Sequence, residues 1–451
     1  MLLHLVENFT IMKLTMLLAG ATLIAGSMLF FYKKPAALQP TQIESTSEKT
    51  HNACVMRTVF GEPQSAVNLK AYMEEFRKGK IDSSINAGKE WLLKAQAPNG
   101  GWGAGEHARQ DITDPSKVEA DPASTALSLM ALLRLGEKME GTSHSEAIMK
   151  AVEFLLKNIE QSPDNALNIT SLTGTQPQMK LGQNIDVILA SQCLTNIMHH
   201  LNDNNPIYSR VKNAIQKCVT KIEKAQDNNG ATTGGGWAPV LQSAFAVNAL
   251  ELAEANDIKV DSLKLATARK YQKQNFNGST ASTADAAGVL LYAASGNARA
   301  TAKEKRKVKE VLKEAKAKGV ISDDKVITAD NLQAAGLSVN ESQELATSYK
   351  MNSYSSKRAQ DGDVITGFGN NGGEEFVSFL LTGESLIIGG EEEWIKWYEN
   401  TSTILTNIQN KNGAWQGHHC ITSPVFCTAT CLLILGIDKD LAQYEKISIR
   451  K

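Results

Sequence analysis

Two histidines and three cysteines crowd into one short stretch of this chain: His418, His419, Cys420, Cys427 and Cys431. Imidazole nitrogen and thiolate sulfur are soft donors, so such side chains held together can ligate a transition metal. Two other readings stand beside that one. Cys420 and Cys427 could join in a disulfide in an oxidising compartment. Cys427 and Cys431, four residues apart and so on one helix face, could instead be small packing residues. A further chemical pair, Glu374 and Glu375, opens an apolar run directly after the glycine-rich segment 367–373. Acids at such a place are also what a helix N-terminus attracts through its dipole.

The element that must hold Cys427 and Cys431 is a helix over residues 426–435, and it is preceded by Gln409, Gly413 and Trp415. That Gln-x-x-x-Gly-x-Trp opening occurs again at Gln96, Gly100 and Trp102, and in stretched form at Gln226, Gly230 and Trp237. Each copy follows a run with helical spacing of apolar residues and precedes a small-residue helix. The periodicity predicts helix pairs over 85–95 with 123–135, 148–156 with 185–197, 211–225 with 244–252, and 265–274 with 281–292. A fifth pair has its second helix starting at Glu374, and a sixth joins 394–408 to 426–435. Asp121 and Pro122 read as N-cap and first helical residue of the 123–135 helix. Residues 301–360 read as an irregular insertion, with the Lys/Glu-rich segment 301–318 a solvated helix rather than a binding patch. No strand-like alternation survives a count, so the class is all-α. A helix pair cannot bury both its faces alone, so about six such units imply a repeat architecture in which neighbours stack.

At the three Gln/Gly/Trp elements the sequence resembles the squalene-cyclase and protein-prenyltransferase β-subunit superfamily, whose QW motifs they are similar to. The resemblance covers about residues 80–440 and implies an α/α toroid, an inner ring of helices within an outer one, occupying residues 66–445. It gives Gln96, Gly100, Trp102, Gln226, Gly230, Trp237, Gln409, Gly413 and Trp415 a structural role: the Trp packs on the outer helix and the Gln ties the loop to a neighbouring helix end. The Asp-x-Asp-Asp acid of triterpene cyclases is absent. Asp121 is explained as a helix cap, and Asp361 and Asp363 lie in a polar loop. The Gly-Cys-Gly-Glu-Gln thioester of complement-type toroids is absent too. Laid on the prenyltransferases, Cys427 falls where their zinc-binding His stands, and Glu374 and Glu375 fall near their Asp-x-Cys element. The resemblance thus implies a Zn set drawn from His418, His419, Cys420, Cys427 and one of Glu374 or Glu375.

The 451 residues carry a net charge of −1, which supplies no field for nucleic acid and removes that class of partner. Residues 14–32 are uncharged and flanked by Lys13, Lys33 and Lys34, long enough to span a bilayer. Cleavage after Ala21 would leave an apolar run on the mature chain, so an uncleaved transmembrane or signal anchor (residues 1–34) is expected, with the domain exported and residues 35–65 as a flexible tether. Three functions stay open. A membrane-anchored barrel would bind an apolar small molecule or an extended peptide. A Zn-dependent transferase, hydrolase or lyase would use the His418–Cys427 cluster. A non-catalytic assembly module would only display loops.

Overall fold

A computed structural model describes residues 73–440 apart from 199, 202–203, 277–283, 323, 370 and 390–392. The apolar stretch 14–32 and the tether 35–65 lie outside the described residues. Among the described residues no helix is long and apolar enough to cross a membrane. The chain divides between Lys49 and Thr50 into two units, and every described residue belongs to the second. The all-α expectation holds, for among the described residues β-pairing is confined to isolated bridges.

Six helices are apolar nearly all round: α2 (Pro122–Arg134), α5 (Ile185–Met198), α7 (Pro239–Ala255), α9 (Leu290–Ala300), α13 (Gly373–Ile388) and α15 (Pro424–Leu435). A helix with that composition must be covered on every side, and α2, α13 and α15 are buried along their whole length. In chain order each packs on the next, and α15 packs back on α2, which closes a ring. Outside lie helices with a single apolar stripe. In α3 (Ser145–Gln161) that stripe is Ile148, Ala151, Val152, Leu155, Leu156 and Ile159, a helical period facing one way. The others are α1 (Lys80–Lys94), α6 (Tyr208–Lys224), α8 (Ser262–Gln274), α12 (Val339–Arg358) and α14 (Glu393–Ile408). A short helix, α4 (Gln176–Lys180), stands before α5. One continuous apolar core runs from Met73 to Ile437.

The three Gln/Gly elements fold alike. Gly100, Gly230 and Gly413 have φ of 89°, 95° and 93°, a region that favours glycine. The N–H of the residue after each glycine donates to an Asn side-chain oxygen: Gly101 to Asn99, Ala231 to Asn229 and Ala414 to Asn412. Each glutamine amide donates across to the next outer helix or its start, Gln96 to Ala147 O, Gln226 to Lys264 O and Gln409 to Ser84 O, at 2.8, 2.8 and 2.9 Å. Trp102 and Trp415 are fully buried. Their indole N–H groups donate 2.8 Å bonds to Leu92 O and Leu405 O, and their backbone N–H groups donate to Thr125 and Thr428 hydroxyls.

The third tryptophan departs from this pattern. The place two residues after Gly230 belongs to Thr232, whose N–H donates to Ser243 Oγ at 3.0 Å as the tryptophans' do to threonine. Trp237 lies half-buried at the ring's end instead, because the Gly234–Gly236 insertion carries it past the slot. Two further expectations shift. The helix expected over 281–292 begins only at Leu290, after a turn in which Ala287 takes φ 53°. Residues 301–360, expected to be irregular, hold α10 (Ala302–Ala317), α11 (Ala329–Ala334) and α12 around a small core of Val308, Leu312, Ile321, Leu332 and Leu345. As expected, Asp121 caps α2, its Oδ1 accepting from Ser124 N at 2.7 Å.

Gly100 and Gly136 share a left-handed backbone (φ 89° and 96°), but a Cβ on Gly100 would lie 2.5 Å from Lys150 O while one on Gly136 would meet nothing within 4 Å. Gly136→Ala should therefore cost only the conformational term, about 1–2 kcal/mol. Gly100→Ala should cost about 1–3 kcal/mol more, read as the difference between the two melting curves.

Candidate functional site

The best candidate lies at the N-terminal end of α13. Gly372 caps the helix, and the Glu375 side chain folds back so that Oε2 accepts the Gly372 N–H at 2.9 Å. Its other oxygen accepts from Phe368 N at 3.0 Å and from Tyr292 OH at 2.5 Å. Glu375 is thus a buried carboxylate held by three donors, with His419 Nε2 3.8 Å from Oε2. Its neighbour is served differently. Glu374 Oε2 accepts from Ile421 N at 3.2 Å, while Oε1 has no hydrogen-bond partner although the residue is wholly buried. Burial and then the nearby Glu375 charge push the Glu374 carboxyl up to about 8, so at neutral pH it holds its proton and can donate. Burial, and then Glu374, raise the Cys420 thiol to about 12. That thiol is not a poised nucleophile.

Loops from the starts of several inner helices converge here. Gln176, fully buried, donates to Ala104 O at 3.0 Å and accepts from Thr422 N and Ser423 N at 2.7 and 3.0 Å. Gln110 donates to Cys420 O at 2.7 Å, and Cys420 itself has φ 56°. Over the acids stands a group of rings. Phe368 lies edge-on to Trp237 at 5.1 Å and to His419 at 5.6 Å. Trp237 meets Tyr292 at 6.3 Å, and the Lys180 ammonium sits 5.2 Å from the Trp237 ring. Phe368 is 58% exposed. Beside it lies a depression of about 430 Å³ lined by Val289, Leu290, Val364 and Phe368 among others.

Of the residues singled out from the sequence, Glu374, Glu375, His419 and Cys420 come together here. His418 and Cys427 do not join them as metal ligands. Gly372 and His419 pair in a short parallel bridge, and His418 N donates to Asn371 O. Successive residues of such an extended segment face opposite ways, so His418 is exposed while His419 turns inward. Cys427 points into the core with Sγ 3.5 Å from Ile421 O, and burial pushes its thiol well above the ordinary range. Among the described residues no three His, Cys, Asp or Glu side chains are placed to hold a metal ion, so the expected Zn set is not assembled. Cys193, Cys218, Cys420, Cys427 and Cys431 are all free thiols, which removes the Cys420–Cys427 disulfide and any Cys193–Cys218 pair. Sequence reasoning missed Tyr292, Lys180 and Phe368. Only Phe368 carried a signal, as a lone aromatic residue between Gly367 and Gly369.

No protein-family model matches the chain, and neither a curated protein nor a solved structure matches it.

Glu374 makes the fold pH-sensitive with a definite sign. Between about pH 4.5 and about 8 the folded chain keeps a proton that the unfolded chain has released, so stability falls as pH rises through that window. Asp121, raised to about 7 by burial and then by Asp186, adds a slope of the same sign. Melting temperatures from pH 5 to 9 should therefore fall in the wild type and fall less steeply in Glu374→Gln; parallel curves would refute the assignment.

Proposed function

We propose that this chain is a divergent toroid of the squalene-cyclase and prenyltransferase β-subunit type. In this reading it is anchored to a membrane by residues 14–32, its domain lies on the exported side, and it binds an extended peptide at the N-terminal end of its inner ring. The toroid is supported by the closed order of the six inner helices and by the matching hydrogen bonds of the Gln96 and Gln409 elements. The binding reading rests on one observation: Phe368, more than half exposed, is braced edge-on by Trp237 and His419 beside a depression lined by both apolar side chains and polar groups, Asp363 among them. Exposed aromatic rings held in place present apolar area at low entropic cost. The inner helices are buried along nearly all their length, which leaves recognition to the end of the ring and favours the apolar side chains of a peptide over a small molecule at the centre. A second reading is favoured by the partnerless Oε1 of protonated Glu374: an enzyme in which that carboxyl acts as general acid.

An array of immobilised ten-residue peptides with alternating apolar residues tests the first reading. Binding should fall at least ten-fold in Phe368→Ala and in Trp237→Ala, with melting temperature held in Phe368→Ala. Binding that is unchanged in both, or present equally on scrambled polar peptides, would sink it.

A further inference from the structure

Lys180, the last residue of α4, lies over the Trp237 ring with its ammonium 5.2 Å from the ring centre. Its backbone is pinned there, for Trp237 N donates to Met179 O at 3.1 Å and Ala238 N to Lys180 O at 2.8 Å. Other half-buried lysines meet an acid: Lys89 meets Glu137, Lys217 Asp164, Lys273 Glu304 and Lys303 Glu254. Among the described residues no carboxylate lies within ion-pair distance of Lys180. The acids at this end of the ring are otherwise engaged. Glu375 is taken up by Tyr292 and two backbone donors. Glu374, which feels the ammonium, keeps its proton at neutral pH. Asp363, in the depression beside Phe368, is held by Arg358 at 3.2 Å. His107 and Cys420 feel the ammonium too, and neither carries a negative charge at neutral pH. A cation–π contact accounts for where the lysine lies. It leaves the positive charge without a counter-ion.

We infer that Lys180 receives an acidic side chain of the bound peptide, two residues away from the apolar side chain that packs on Phe368. The inference rests on the peptide reading and adds to it a sequence preference. The Lys180 ammonium and the Phe368 ring adjoin the same Trp237 ring, at 5.2 and 5.1 Å, so they lie within roughly 10 Å of each other. In an extended peptide, side chains two residues apart share a face and stand about 7 Å apart. An acid one residue away would face the opposite side, and one four residues away would overshoot the lysine. The depression on Phe368 cannot take the acid, because the charge among its described lining residues is that of Asp363. A lysine already held against a ring loses little freedom on pairing, which favours the contact.

Ten-residue peptides, acetylated and amidated at their ends, test this on the full chain by fluorescence polarisation. Each carries one leucine and a single aspartate placed one, two or four residues from it on either side, with asparagine as the control. Aspartate two residues from the leucine should bind about three- to five-fold tighter than asparagine there, and the gap should close at high salt. In Lys180→Gln the two peptides should bind alike, and Lys180→Arg should restore the gap. Lys180→Glu should prefer lysine at that position instead. No gap, an equal gap at every spacing, or a gap that survives Lys180→Gln overturns the inference and leaves the peptide reading standing. A gap that needs a free C-terminus assigns Lys180 to a terminal carboxylate and overturns it as well. Absence of binding by every peptide sinks both readings together.

Discussion

The structure depends on the closing of one ring, and the contact that closes it is small. Gln409, at the end of α14, donates to Ser84 O on α1 across 325 residues of chain. A Cβ on Gly413 would lie 2.6 Å from Ala87 O on the same helix. At the same seam α15 packs on α2, and both helices are buried along their whole length. Closure over such a separation is expensive in loop entropy. The chain offsets it by using the same device at Gln96 and Gln226, so each local pair is already shaped to receive the next. Glycine is needed because the outer helix comes within contact distance of its Cα, and glutamine because one amide can bridge the turn and the neighbour together.

A ring buried this fully must also dispose of its charges. Towards the C-terminal ends of the inner helices, Arg299 joins Glu251 at 2.7 Å and Glu384 at 3.3 Å, and Arg269 also reaches Glu251. Burial would raise the Glu251 carboxyl, but the two guanidinium groups outweigh it and hold it at about 2. Such a set costs most when one member is removed. At the opposite end Glu375 is likewise served by Tyr292 and two backbone donors, and Asp121 by Ala104 N and the Ser124 N–H and hydroxyl. Glu374 stands apart from all of these. One of its oxygens is buried with nothing to bond, and a fold that satisfies the neighbouring Glu375 and Asp121 leaves this acid as a donor near the exposed Phe368 ring.

Trp237 illustrates where a motif stops being informative. Its residue type matches Trp102 and Trp415, yet the Gly234–Gly236 insertion moves it out of the slot that Thr232 fills. Spacing, rather than identity, decides which residue the turn buries. His418 and His419 make the same point at closer range: adjacent in sequence, they face apart because the loop pairs with Gly372. The residues that complete the candidate site, Tyr292 from α9 and Lys180 from α4, come from helices far away in the chain and have no local pattern to mark them.

By itself the sequence determined most of the ring's helices, the Asp121 cap and the Gln/Gly turns, because these are set by residues within four positions of one another: apolar period, Asp121 before Pro122, glycine where φ is positive. It did not give α11 and α12 or the late start of α9. It also placed Glu374 and Glu375 at a helix start, which is a local property. Tertiary structure alone decided that the two acids differ, one saturated with donors and one not, since their partners lie at residues 292, 368, 372 and 421. It alone decided that Cys427 is core and that His418 faces water, so that the expected zinc set is not assembled among the described residues. Ligation and titration depend on which groups share a few ångströms of low-dielectric space, and only the closing of the ring brings those groups together.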